Sequence, residues 1–272
     1  MNTGWRKITL ASWVTHMMIA DRIMELFPSL SRHEFMVGNI APDCNLQNED
    51  GNNYTPTREV TPFVKRKLFH RTRNNYTPTR EVTHWMSGKW KTARDSERFL
   101  HEYVEKKERT DHREESFLMG YYAHLIADAE FQRFIRDEKR VGDVWNRISQ
   151  HPRLKSVSAG LEESWDSVKV LIGLEDRMRD LYAIEAKYLD AHPDSGYLTD
   201  IMNLSEFPDY IDYLPKGAIV RKIQFLRYLP REEERSYPNI ALTEKEHAGF
   251  VDSATKLVTE ALGRWPASSK KE

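Results

Sequence analysis

The chain has 272 residues, enough for one large helical domain or two smaller ones. Its 41 Lys and Arg nearly balance 42 Asp and Glu, so no overall field draws it to nucleic acid or to an anionic membrane. The single cysteine, Cys44, excludes an intramolecular disulfide and fits a reducing compartment. No apolar run approaches the roughly 18–20 residues of a membrane span, and Thr15 and His16 interrupt the only stretch that imitates a leader, RKITLASWV. A cytoplasmic protein without a transmembrane segment is expected.

Taken in chain order, Trp13, His16, Ala20, Ile23 and Phe27 recur at spacings of three and four, one face of a helix that stops before Pro28. Residues 38–51 are rich in Asn, Asp, Pro and Gly and read as a loop. The decapeptide NNYTPTREVT then occurs twice, at Asn52–Thr61 and Asn74–Thr83. A 22-residue period that appears once marks a local duplication and not a solenoid. The copies differ at the next position, which is Pro62 after the first and His84 after the second. Loop closure entropy rises by only about 1 kcal/mol for such an insertion, so the first copy is expected to be a passive duplicate. The spacer basic residues Lys65, Arg66, Lys67, Arg71 and Arg73 are expected to be solvated.

Helical periodicity resumes over about residues 95–107 and 115–139, then near Val141–Gln150, Ser156–Ile172, Asp176–Ala191 and Gly217–Leu229. The segment EFPDYIDYLPKGAIVRKIQF, with Asp209 and Asp212, reads as a connecting loop running into the last of these. A final helix over Thr243–Trp265 opens with the spacing of a capping box, Thr-Glu-Lys-Glu. The polar tail, residues 266–272, is expected to be disordered. Strand-like alternation is essentially absent. The expectation is an all-α protein: one multi-helix domain over residues 1–265 with a loop insertion near 52–83.

Polar residues on apolar helix faces carry the chemistry. His33, His70, His101, His112, His151, His192 and His247 sit in polar settings and read as surface or loop residues. His16 and His124 differ. The stripe Phe117, Tyr121, His124, Asp128, Phe131, Ile135 places His124 and Asp128 one turn apart on an inward face, and His16 lies between Trp13 and Ala20. Buried imidazoles and carboxylates need partners, because leaving one unsatisfied costs several kcal/mol. The pair either orders the core by a hydrogen bond or offers two ligand atoms to one metal.

Four blocks, ASWVTHMMIA, FMVGNIAPDC, REVTHW and MGYYAHLIAD, follow one another in the first half of the chain. Together they resemble the zinc-dependent phospholipase C family, relatives of the single-strand-specific zinc nucleases. The resemblance implies an all-α enzyme with metals held between helices. It assigns His16, His84 and His124 as zinc ligands, Asp128 as a metal-bridging carboxylate and Asp43 as the water-activating residue. Two departures reduce the implied ligand set. The secreted members use an N-terminal tryptophan, whereas Trp5 here follows four residues, and no later His-x-x-x-Glu pair is present. One or two zinc ions are therefore expected.

The implied activity is metal-assisted hydrolysis of a phosphoester, from a small molecule or a phospholipid headgroup. Two alternatives are a noncatalytic metal-stabilised helical binding module and an HD-type phosphohydrolase. The latter requires an adjacent His-Asp pair, and the chain offers only Asp111-His112, in reverse order.

Overall fold

The computed structural model describes residues 12–45, 78–86, 95–106 and 111–264. The first decapeptide, its basic spacer with His70, Trp5 and the C-terminal tail lie outside them. Among the described residues there is no strand, and no helix is long and apolar enough to cross a membrane.

The helices are α1 (Trp13–Leu26), α2 (Arg32–Gly38), α3 (Arg80–Thr83), α4 (Ser96–Phe99), α5 (His112–Phe134) and α6 (Glu138–Gln150). They continue with α7 (Leu154–Val157), α8 (Trp165–Leu171), α9 (Leu174–Ala191), α10 (Ala218–Leu226) and α11 (Glu244–Gly263). A 3-10 turn covers Ala41–Asp43, and π-helical turns cover Leu100–Glu105 and Tyr197–Ile201.

Several boundaries differ from the periodicity for local reasons. The expected helix over 115–139 ends at Phe134, because Asp137 accepts a hydrogen bond from the Arg140 backbone and caps a new helix instead. The expected helix over 156–172 is two short ones, separated by Gly160 at a left-handed φ of 84° and restarted by the cap Ser164. The helix over 95–107 widens into π geometry after Phe99. The capping box at Thr243 forms, with Glu246 as its partner.

The chain separates into two compact units: residues 1–27, 126–198 and 228–272, and residues 28–125 and 199–227. The division falls inside α5.

In the first unit α1 lies along α11. Behind them, Val141, Val144, Trp145 and Ile148 of α6 pack with Leu154, Val168 and Ile172. The N-terminus of α1 is held by buried polar groups. Ser12 accepts the Thr15 backbone N–H as its cap and donates its own hydroxyl to Glu185. Thr15 Oγ1 lies 2.8 Å from the same carboxyl oxygen and 3.0 Å from His247 Nε2, and Tyr228 donates to the other oxygen at 3.2 Å. His247, expected at the surface, is therefore buried: Thr15 supplies the partner that lets an imidazole enter the core.

In the second unit α2 meets α5 backbone to backbone. A Cβ on Gly120 would lie 2.1 Å from the Phe35 carbonyl oxygen, and one on Gly38 would lie 2.0 Å from that of Phe117. Only glycine permits this spacing. Around it an aromatic cluster forms, in which Phe99 stacks on Tyr121 at 4.6 Å and Phe117 meets Tyr210 at 5.3 Å.

Two measurements test this packing. Gly120→Ala forces the helices apart and is expected to lower stability in urea by about 3 kcal/mol, the scale of severe overpacking. The second concerns Glu185, whose carboxyl burial pushes up to about 8 against the hydrogen bonds of Thr15 and Tyr228. A raised carboxyl keeps its proton in the fold, while the unfolded chain loses it near pH 4.5. Stability then falls with rising pH by roughly 1.4 kcal/mol per unit, from about 4.5 up to about 8, and is level above. Glu185→Gln, which mimics the protonated group, is expected to flatten that limb in unfolding curves recorded across this range.

Candidate metal centre

Three ligand-type side chains converge in the second unit. Asp43 closes the 3-10 turn that follows α2, its N–H bonded to the Ile40 carbonyl at 3.0 Å. His84 ends α3, and His124 lies in the middle of α5. One ligand atom from each falls within 4.8 Å of the others, with both histidines buried and Asp43 partly so.

The hydrogen bonds fix which ring nitrogens face one another. His124 Nδ1 is 2.7 Å from the Asn39 carbonyl oxygen, which can only accept, so Nδ1 carries the proton and Nε2 of the neutral ring is bare. For His84, the Arg80 guanidinium, which can only donate, lies 2.7 Å from Nε2, and Nδ1 is 2.9 Å from the Thr83 hydroxyl. The two Nε2 atoms are 3.4 Å apart, and Asp43 Oδ1 is 3.3 Å from that of His84.

Two nitrogen lone pairs and a carboxylate thus point at one region. Such a set needs a cation among them, and here that cation is Arg80, 3.4 Å from Asp43 Oδ1. Burial pushes the Asp43 carboxyl up. The contact with His84 and the charge of Arg80 outweigh it and hold the group well below the usual carboxylate range. Imidazole and carboxylate donors suit zinc, so the residues fit that ion, and the guanidinium approaches two of the atoms that would hold it. Asn39 adds a second sign of an unfinished polar site. Its side-chain amide is buried and makes no hydrogen bond among the described residues.

In the first unit His16 Nε2 and Asp128 Oδ1 are 3.6 Å apart and fully buried. That separation is beyond an ordinary hydrogen bond and leaves the two atoms able to share a cation. His124 and Asp128 lie one turn apart on α5, as their spacing requires.

All five sequence candidates are therefore inward-facing, Asp43, His84 and His124 in one group and His16 with Asp128 in another. Asp111 and His112 are exposed where α5 begins, unsuited to an HD-type centre. Asp209 and Asp212 make structural bonds, accepting from the Gly217 N–H and the Tyr103 hydroxyl. Cys44 is a small buried residue whose thiol faces the Ile40 carbonyl at 3.4 Å. Sequence reading missed Arg80 and Asn39. Arg80 carried a usable signal, lying four residues before His84; Asn39 acts through its main-chain carbonyl, which no side-chain pattern encodes.

The family described as zinc dependent phospholipase C matches residues 15–130. That stretch contains all five candidates, and the helical fold agrees with the family. Residues 15–130 thus carry the zinc-dependent phospholipase C pattern, and the function this suggests is zinc-dependent and phospholipase C-like. No curated protein and no solved structure matches the chain.

If Arg80 competes with a metal for the same atoms, its removal should favour the metal. Arg80→Gln is expected to bind Zn2+ about tenfold more tightly in calorimetric titration, the effect of about 1.4 kcal/mol, comparable to one charge-assisted hydrogen bond.

Proposed function

We propose that the protein is a metal-dependent hydrolase of phosphoesters, phospholipase C-like, using one or two zinc ions. The observation that carries this reading is the convergence of the Asp43 carboxylate with the unprotonated Nε2 atoms of His84 and His124. These nitrogens would hold an ion in the second unit, and His16 with Asp128 offers a separate imidazole and carboxylate in the first. Bound zinc lowers the pKa of a water toward about 7 and neutralises phosphoryl oxygens.

The chain's own residues do the rest. The carbonyl of Asn39 and the hydroxyl of Thr83 hold protons at Nδ1 of His124 and His84, which leaves both Nε2 atoms unprotonated, that of His84 facing Arg80. Asp43 stays ionised at neutral pH and is suited to orient the attacking water by accepting its hydrogen bond. The substrate class proposed is a phosphodiester or phospholipid headgroup ester.

Arg80 favours a second reading. A guanidinium already balances the electron-rich group, as expected of a noncatalytic helical module whose centre is closed by a built-in cation.

Metal analysis with a screen of chromogenic phosphodiesters and phosphocholine esters separates the two. Zinc content with turnover supports the hydrolase; neither, in a folded protein, supports the closed module. Asp43→Asn is expected to retain zinc while slowing hydrolysis by about 10²-fold. Unchanged turnover would remove Asp43 from the chemistry, and lost zinc would recast it as a ligand.

A further inference from the structure

The turn that presents His84 is built in an unusual way. After α3 the Trp85 N–H bonds to the Val82 carbonyl at 3.1 Å and the Met86 N–H to the Glu81 carbonyl at 3.0 Å. This is the hydrogen-bond pattern of a Schellman motif, whose left-handed position is usually glycine. Here it is Trp85, with φ of 49°. A bulky aromatic residue in that region is an outlier, which persists only where its surroundings hold it.

The surroundings are specific. The Trp85 indole packs edge-on against Phe99 at 5.6 Å and Tyr103 at 5.8 Å, and its carbonyl accepts the Asp95 N–H at 2.8 Å. Its indole N–H donates to the Tyr213 hydroxyl at 3.2 Å. Tyr213 donates to the Tyr121 hydroxyl at 2.7 Å, and Tyr121 donates to the Thr83 carbonyl at 2.5 Å. The series leaves the chain one residue after His84 and returns one residue before it. Thr83 itself meets His84 Nδ1 through its side chain. Burial pushes the Tyr121 and Tyr213 phenols up, so both remain donors throughout the neutral range.

We propose that Trp85, Tyr213 and Tyr121 form a clasp around His84 and act as positioning residues, fixing its ring so that Nε2 faces Asp43 and His124. The strained backbone at Trp85 is retained because the indole, which glycine lacks, closes the clasp. The proposal rests on the reading of His84 as a metal ligand for its consequence, though not for its geometry.

The test uses the full chain and two variants. Tyr213→Phe breaks the series in the middle; Trp85→Gly removes its first member while relieving the left-handed strain. In the metal-free protein, long-range ¹⁵N–¹H correlation spectra should show wild-type His84 as one neutral tautomer, protonated at Nδ1. Both variants should retain helicity by circular dichroism yet show a mixture of tautomers. In Zn2+ titration each should bind about tenfold more weakly. A single Nδ1 tautomer and wild-type Zn2+ affinity in both variants would overturn the clasp. Tautomer mixing in the variants, with no Zn2+ bound by the wild type, would uphold the clasp and defeat the metal reading instead.

Discussion

The close approach of α2 to α5 is the constraint from which the candidate centre follows. With glycine at positions 38 and 120, the carbonyls of Phe117 and Phe35 occupy the space that side chains would fill. That proximity brings the end of α2 onto α5 one turn before His124, where the Asn39 carbonyl can take the ring proton. A backbone acceptor is a firm choice for this role, since no rotamer change can withdraw it. The 3-10 turn carrying Asp43 begins two residues later, so one packing decision sets both the orientation of an imidazole and the position of the carboxylate that faces it.

Electrostatics explains why the group needs company. Unprotonated imidazole nitrogens 3.4 Å apart beside an anionic oxygen would repel one another without positive charge near them. The chain supplies a guanidinium from the preceding turn of α3, four residues before His84. This arrangement keeps an ionised carboxylate at the edge of a buried group and gives the centre a definite polarity.

The sequence makes the inward polar residues legible where helical period and burial coincide. His16, His124 and Asp128 sit on faces otherwise apolar, and all three are buried. Asp43 and His84 belong to short turns without periodicity, so only the resemblance identified them. His247 shows the limit of the argument. Its neighbours Glu244, Lys245 and Glu246 suggest solvent, but it enters the core because Thr15, on a distant helix, offers a hydroxyl. Helix ends were misjudged where a side chain competes with the backbone, as Asp137 does, or where a glycine adopts a left-handed conformation, as Gly160 does. Main-chain acceptors such as Asn39 leave no compositional trace.

The bonds at the start of α1 also constrain the order of events during synthesis. Thr15 is tied to Glu185 across 170 positions and to His247 across 232. The first described helix to leave the ribosome therefore completes its contacts only after the last one, α11, has emerged. Contacts this distant along the chain slow folding, because loop closure precedes any reward from packing. Until then the apolar face of α1 and the neighbourhood of His16 remain unfinished, and a chain truncated before α11 lacks the surface against which its beginning is built.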